Sequence, residues 1–156
     1  MKFPKEFCLM PKILILYYSR TGNTEKMANA VAEGTRANGN VEVDVEYHVD
    51  PEDLARYDGI IVGTSTYYHD MPMDMKHLFE EVAVKGVNLK GKTGAAFGSY
   101  GWSGEAPKMV LEIMKLKFEM NVTEPALLAL NTPDQKSLEL CRALGKRVAE
   151  TLMHTA

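Results

Sequence analysis

Short apolar runs alternate with helix-forming segments along most of this chain. Three of the runs are continuously apolar or built largely from small residues: ILILYY at 13–18, GIIVG at 59–63 and TGAAFGS at 93–99. Runs of this kind are typical of strands that are covered on both faces. VEVDVEYHV at 41–49 alternates apolar and polar residues, which predicts a strand at the edge of the sheet. A fifth strand is predicted within residues 122–130.

A predicted helix or turn segment follows each strand. The first helix carries an apolar stripe at helical spacing, formed by Met27, Ala28, Val31 and Ala32. The last begins at NTPDQ, where Thr132 and Gln135 would form a capping box around Pro133, and its buried side includes Cys141. The repeated alternation predicts an α/β fold in which a doubly wound parallel sheet lies between two layers of helices.

Length and charge narrow the class of protein. The chain has 156 residues and a formal net charge of −3. We expect one domain at residues 12–156, preceded by an N-terminal extension at residues 1–11. The charge argues against general binding to nucleic acid or a membrane surface, since phosphates attract a basic face. No membrane span or signal peptide is predicted, and Cys8 and Cys141 lie far apart, so we expect a cytoplasmic protein with free thiols and no metal site.

Three loops of unusual composition follow predicted strands. They are SRTGNT at 19–24, TSTYYHD at 64–70 and SYGWSGE at 99–105. In an open parallel sheet, ligands bind outside the carboxyl ends of the strands, where the strand order reverses. We therefore expect the three loops to converge on one pocket.

The first loop combines hydroxyl, amide and glycine groups with the start of a helix, which together can hold a phosphate without a metal. It lacks the Gly-Lys-Ser/Thr ending of a nucleoside triphosphate loop. The alternative is a polar turn in which Thr21 or Asn23 only caps the helix.

Aromatic residues distinguish the other two loops. Tyr67, Tyr68, Tyr100 and the single tryptophan, Trp102, fall outside the core pattern. Aromatic side chains at strand exits suit a flat ring, and Gly98, Gly101 and Gly104 let the backbone approach it closely. The alternatives are that these residues close the top of the core or form a partner interface. A phosphate at one end and an aromatic slot at the other describe a site for flavin mononucleotide (FMN).

Two of these motifs also resemble a known family. YYSRTGNTEKMA resembles the signature that follows the first strand in flavodoxins, and FGSYGWSGE resembles the flavin loop of short-chain flavodoxins and of the flavodoxin domain in flavodiiron proteins. The likeness extends from Lys12 over nearly the whole remaining chain. It implies a flavodoxin-like three-layer fold, a five-stranded parallel sheet in the order 2-1-3-4-5, and non-covalently bound FMN.

The resemblance also implies which residues bind FMN. The phosphate would be held by the loop of Ser19, Arg20, Thr21, Gly22, Asn23 and Thr24. The ring and the ribityl chain would be bordered by Thr64, Ser65, Thr66, Tyr67, Tyr68 and His69. The opposite side would be framed by Ser99, Tyr100, Gly101, Trp102 and Gly104. Tyr67 is expected to stack on the inner face of the ring, and Trp102, with Tyr100 as second choice, on the other face.

Two of these positions leave alternatives open, and a third departs from the family pattern. Arg20 stands where the family usually relies on neutral donors, so it either pairs with the phosphate or points to solvent. Tyr68 stands where many short-chain members carry glycine. His69 either approaches the ring or faces solvent.

The function implied is that of a low-potential electron carrier without catalytic residues. Its partners would be a reductase or ferredoxin-like donor and an oxidoreductase acceptor. One alternative is an FMN-dependent NAD(P)H:quinone or flavin reductase of the same fold, although the chain shows no insertion that would build a second substrate pocket. Another is a flavin-free interaction module that uses the same aromatic loops.

Overall fold

The computed structural model describes residues 10–19, 21–37, 39–66 and 69–155, and the structural statements below concern these residues. Strands and helices alternate in the following order: β1 (Lys12–Tyr18), α1 (Asn23–Arg36), β2 (Glu42–Glu46), a 3₁₀ helix (Pro51–Arg56), β3 (Gly59–Thr64), α2 (Met73–Val84), β4 (Thr93–Tyr100), α3 (Glu105–Glu112) with a π-helical continuation (Ile113–Lys117), β5 (Asn121–Val122), β6 (Leu127–Leu130) and α4 (Gln135–Thr155).

The strands form one parallel sheet in the order β2-β1-β3-β4-β5, and β6 also pairs with β4. The doubly wound fold and the strand order 2-1-3-4-5 are thus confirmed, with β2 at an edge. β2 is shorter than the alternating run predicts and ends at Glu46.

Both faces of the sheet are buried because alternate residues of a strand point to opposite sides. Leu14 and Leu16 of β1 pack in the core beneath α2 and α3, whereas Ile13 and Ile15 pack in the core beneath α1 and α4. This explains why the β1 sequence is apolar without alternation. Cys141 of α4 lies fully buried in the second core, as predicted, and burial raises its pKa to about 12. Cys8 lies outside the described residues.

The fifth strand differs from its prediction, because residues 121–130 form two short strands instead of one. β5 pairs with the start of β4 and β6 with its end, from Phe97 to Tyr100. Pro125 lies between them, and a proline has no backbone N–H to donate to a strand ladder. β6 nevertheless continues the sheet beside the carboxyl end of β4.

The start of α4 also differs. The helix begins at Gln135, and Asp134 Oδ1 accepts a hydrogen bond from Ser137 N at 2.8 Å. The capping box predicted for Thr132 and Gln135 is therefore wrong. Asp134 lies one position before the helix, where a carboxylate can satisfy a free helical N–H, and Pro133 precedes it.

Helices α1 and α4 approach closely at two glycines. A Cβ on Gly34 would lie 1.9 Å from Arg142 O, and one on Gly145 would lie 2.1 Å from Val31 O. Only glycine permits this distance, so α4 fixes the position of α1. None of the described helices is long and apolar enough to cross a bilayer.

Candidate functional site

The loops that follow β1, β3 and β4 meet at the carboxyl edge of the sheet, as predicted. Between them lies a cavity of about 220 Å³, lined by Thr21, Asn23, Ser65, Thr66, Ser99, Tyr100, Gly101 and Asn131. Seven of these eight residues belong to the predicted site. Asn131 does not. It follows β6, has a φ of 55° and donates its backbone N–H to Tyr100 O at 2.7 Å. Its contribution depends on β6 lying beside β4, which the sequence analysis did not resolve.

The loop after β1 is organised by Ser19. Its Oγ accepts hydrogen bonds from Gly22 N at 3.1 Å and Glu25 N at 3.3 Å. Gly22 is left-handed, with a φ of 89°, and lies immediately before α1, where it offers no side chain to cap the helix. The alternative in which Thr21 or Asn23 caps this helix is therefore wrong. Ser19 instead bonds to the N–H of Glu25 in the first turn, and Thr21 and Asn23 line the cavity.

Thr24 links all three loops. It is fully buried, and its Oγ1 lies 3.1 Å from Ser99 Oγ and 3.3 Å from Ser65 Oγ. Ser99 N also donates a hydrogen bond to Thr24 Oγ1 at 3.4 Å. A hydroxyl offers one donor and two acceptor positions, so these contacts occupy Thr24 fully. Thr24 therefore connects the loops after β1, β3 and β4 beneath the cavity.

Close backbone packing supports this connection. A Cβ on Gly98 would lie 1.9 Å from Thr64 O and 2.8 Å from the Pro107 ring. Thr64 itself is fully buried, and its Oγ1 donates to Ser65 O at 3.1 Å. Thr64 therefore lies below the cavity lining. The glycine at position 98 brings β4 and α3 against the end of β3.

The loop after β3 also holds the start of α3. Thr66 Oγ1 accepts a hydrogen bond from Ala106 N at 3.0 Å. This bond satisfies one of the free N–H groups at the start of the helix. Gly104 precedes α3 and packs closely, since a Cβ there would lie 3.2 Å from Leu128 and 3.3 Å from the Tyr100 ring.

His69 and Glu105 form a second link between the loops. His69 Nδ1 lies 2.8 Å from Glu105 Oε1, and the imidazole lies 4.7 Å from the Trp102 ring at a tilt of 58°. His69 has a φ of 66°, in the left-handed region that few side chains adopt. The imidazole is about half exposed, and it is held by Glu105 and Trp102 at the rim of the site. Trp102 is 80% exposed, which leaves its ring accessible to a ligand.

Glu105 is a residue that the sequence analysis missed. Its interactions with Ser103 and then with His69 lower the pKa of its carboxyl to about 2. Oε2 is buried and has no hydrogen-bond partner among the described residues. The only local sequence signal is an acidic residue in the first turn of a helix, which is common on any helix. Its contact with His69 joins positions that are 36 residues apart.

Three predicted site residues, Arg20, Tyr67 and Tyr68, lie outside the described residues. The phosphate contact of Arg20 and the stacking of Tyr67 stay predictions.

Comparison with known proteins identifies relatives of two lengths. The model of the flavodoxin family matches residues 15–145. A flavodoxin from the domain Archaea has a similar solved structure, with 41% sequence identity and a TM-score of 0.84. The match covers 92% of this chain and 99% of that flavodoxin.

The other relatives are longer. The type A flavoprotein fprA of Rhodobacter capsulatus is 33% identical over 147 residues, which are 90% of this chain and 33% of that protein. The anaerobic nitric oxide reductase flavorubredoxin of Escherichia coli O1:K1 is 34% identical over 151 residues, which are 88% of this chain and 29% of that protein. The chain thus spans about a third of the length of the curated relatives it matches.

Proposed function

This chain belongs to the flavodoxin family, whose members bind FMN and transfer electrons, and we propose that it is a low-potential electron carrier. Its donor would be a reductase or a ferredoxin-like protein, its acceptor an oxidoreductase, and its compartment the cytoplasm. One observation supports the proposal most strongly. Thr24 contacts Ser65 and Ser99 and so connects the three loops below a cavity lined with hydroxyl and amide groups.

The chemistry of the site fits FMN at its phosphate end. Thr21 and Asn23 lie at the start of α1, where free backbone N–H groups and the helix dipole favour an anion. Ser19 fixes the backbone of that loop through two hydrogen bonds. Neutral donors around a helix start are the groups expected for a phosphate that is bound and never transferred. We propose that Ser19, Thr21, Gly22, Asn23 and Thr24 form this end, with Thr24 acting through Ser65 and Ser99.

The ring end has a different composition. Trp102 offers an exposed aromatic face, and Tyr100 and Gly101 line the cavity beside it. We propose that a flavin ring lies against Trp102, between the loops that carry Tyr100 and His69.

FMN itself supplies the electron chemistry, and the protein adjusts its potential. The described residues of the two ring-side loops include no lysine or arginine between Ser65 and Asp70 or between Ser99 and Glu105. The Glu105 carboxylate would add negative charge near a bound ring, and neither segment supplies a lysine or arginine to offset it. This arrangement disfavours extra negative charge on the flavin and lowers its reduction potential.

The second candidate function is an FMN-dependent reductase. It is favoured by one observation, the similarity of the chain to a third of a protein named as a nitric oxide reductase. That activity belongs to the longer protein, and here it is only a reason to include an enzymatic assay.

The test is to load the purified protein with FMN and titrate it anaerobically with a reductant of known potential. We expect one FMN per chain and a midpoint potential well below that of free FMN. NAD(P)H and a quinone are then added without any partner protein. Slow or no oxidation of NAD(P)H supports a carrier, whereas rapid turnover would establish the reductase. A protein that fails to take up FMN would overturn both functions.

A further inference from the structure

Asp70, which follows His69 in the loop after β3, makes a second charged contact with a helix. Its Oδ2 accepts a hydrogen bond from Lys76 Nζ on α2, and its Oδ1 accepts one from Met71 N at 2.8 Å. Both oxygens of this carboxylate are therefore bonded within the protein. The loop is thus tied to α3 through His69 and to α2 through Asp70.

The position of Lys76 is not explained by its own helix. Lys76 lies near the start of α2 (Met73–Val84), where the helix dipole disfavours a cation. The Asp70 carboxylate offsets this cost, because it accepts a hydrogen bond from the ammonium group. The side chains of Lys76 and Asp70 are 37% and 35% exposed, so solvent screens their charges only in part. The hydrogen bond from Lys76 is the main cause that lowers the pKa of Asp70, and it keeps the carboxylate ionised at neutral pH.

Lys76 is also distinctive among the cations of the chain. Among the described residues, no other lysine or arginine side chain forms an ion pair or hydrogen bond with the two ring-side loops, 65–70 and 99–105. These loops contain two carboxylates, those of Asp70 and Glu105. Glu105 contacts the imidazole of His69, whereas Asp70 contacts a fully charged ammonium group. Lys76 therefore determines how much negative charge the loop after β3 carries.

We propose that Lys76 raises the reduction potential of bound FMN by neutralising Asp70. Lys76 does not line the cavity and acts through Asp70, so it is a positioning residue and not a catalytic one. This role depends on the proposed FMN site. Reduction adds negative charge to a flavin, and a carboxylate beside the ring opposes that charge unless a cation lies close to it. The contact with Lys76 thus limits how far the loop lowers the potential.

The experiment compares the midpoint potentials of FMN-loaded variants, measured by anaerobic titration at low salt. Lys76→Met removes the ammonium group and keeps the length of the side chain, and Lys76→Arg restores a cation. Asp70→Asn removes the charge but keeps an oxygen that can accept from Met71 N. The matched control is Lys85→Met, because Lys85 also bonds to a carboxylate, that of Glu52 at 2.7 Å. Lys85 lies at the other end of α2, about 14 Å away along the helix axis.

We expect the midpoint potential to fall in Lys76→Met, since the Asp70 carboxylate is left without its cation. At an applied potential equal to the midpoint of the unchanged protein, the ratio of reduced to oxidised FMN should decrease about threefold to tenfold, as for one charge at a separation of about 10 Å. Asp70→Asn should increase the ratio by a similar factor. The double variant Lys76→Met/Asp70→Asn restores the net charge, so its ratio should lie within about twofold of the unchanged protein, as should that of Lys76→Arg. Lys85→Met should change the ratio less than about 1.5-fold.

A second measurement needs no cofactor. The titration of the Asp70 carboxyl is followed by NMR in the FMN-free protein, in which the contact with Lys76 holds its pKa below the usual value. We expect this pKa to rise towards the usual value in Lys76→Met and to stay low in Lys76→Arg and Lys85→Met. The FMN content of each variant is measured as well, so that loss of cofactor is not mistaken for a change in potential.

The outcomes separate the role of Lys76 from the proposed function. A protein that takes up no FMN would overturn the proposed function and the role of Lys76 with it. Uptake of FMN with the same midpoint potential in Lys76→Met as in the unchanged protein would overturn the role of Lys76 alone. An equal fall in Lys76→Met and Lys85→Met would do the same, because the effect would then come from the net charge of the chain.

Two further results would also count against neutralisation of Asp70. A double variant whose potential stays as low as that of Lys76→Met would show that the charge of Asp70 is not the cause. An Asp70 pKa that does not change in Lys76→Met would show that the two groups are not in contact in solution.

Discussion

The two ends of the candidate site are held together by different interactions. At the phosphate end, the connection is made by neutral groups. Buried Thr24 contacts buried Ser99 and half-buried Ser65, and half-buried Ser19 bonds to its own loop. At the ring end, the connection is an exposed contact of 2.8 Å between His69 Nδ1 and the Glu105 carboxylate, beside an exposed Trp102. Buried neutral hydrogen bonds respond little to salt or pH, whereas an exposed contact to a carboxylate responds to both.

This difference suggests a division of tasks. A phosphate end held by hydrogen bonds within the protein would set the affinity for FMN. A ring end held by an exposed pair would be adjustable, and it is the part that a partner protein can reach. The following predictions test the division, from the largest expected effect to the smallest.

The largest effect is expected for Gly98→Val. The added side chain would begin 1.9 Å from Thr64 O, against backbone that has no room to move. We expect loss of FMN binding by more than about a hundredfold and destabilisation by about 3 kcal/mol or more, measured by fluorescence titration and thermal unfolding. The control is Gly101→Ala, whose Cβ would meet only Asn131 Oδ1 at 3.5 Å, an ordinary contact. Equal effects of the two variants would contradict the steric argument.

Thr24→Val tests the buried connection directly. It keeps the size of the side chain and removes the hydroxyl from Ser65 and Ser99. Leaving buried partners unsatisfied costs about 1–3 kcal/mol, so FMN affinity should fall about tenfold to a hundredfold. Thr35→Val is the matched control, because Thr35 is equally buried on α1 and bonds to Val31 O, far from the loops. If both variants bound FMN as tightly as the unchanged protein, Thr24 would not organise the site.

Glu105 gives the ring end a dependence on pH. Its carboxyl pKa is about 2 in the folded protein, below the usual value of 4.5, because of Ser103 and His69. Because folding lowers the pKa of this carboxyl, its ionised form stabilises the folded loops at pH values above the usual pKa. This contribution is lost as the pH falls from about 4.5 towards 2. Loop opening, followed by Trp102 fluorescence, should therefore increase over this range.

The comparison variant for that experiment is Glu105→Gln, which cannot titrate. It should show a flatter pH profile over the same range, while Glu112→Gln, on the same helix, keeps the original profile. An unchanged profile in Glu105→Gln would assign the pH response to other carboxyls.

The smallest effect is expected for His69→Asn. Asparagine tolerates the positive φ of this position, so the variant removes the imidazole and its contact with Glu105 without adding backbone strain. Stability should change by less than about 1 kcal/mol, as for other exposed pairs. Trp102 fluorescence should nevertheless shift, since the imidazole is 4.7 Å from its ring. A loss of FMN affinity as large as in Thr24→Val would refute the division between the two ends.

Much of the fold and of the site was predictable from local sequence. The apolar runs predicted β1, β3 and β4, and the polar and aromatic segments after them contain most of the cavity lining. Both depend on signals that fall within a few neighbouring residues. The burial of Cys141 followed in the same way from helical spacing.

The parts that were missed depend on geometry that is not local. Ser19 organises its loop because Gly22 adopts a left-handed conformation. The sequence SRTGNT is compatible with several backbone conformations, so this role could not be predicted from it. The contact of Glu105 with His69 and the position of Asn131 require strands and loops from distant parts of the chain to be in place. The spacing of residues in one sequence carries no information about contacts between distant parts of the chain.

The close approach of α1 and α4 at Gly34 and Gly145 has a consequence for the order of events during synthesis. The loop after β1 and helix α1 are synthesised before β2 to β6. The surface that holds α1 in position is α4, which emerges only after every strand. We therefore expect a nascent chain that stalls before Gln135 to carry the complete loop sequence and still be unable to retain the cofactor.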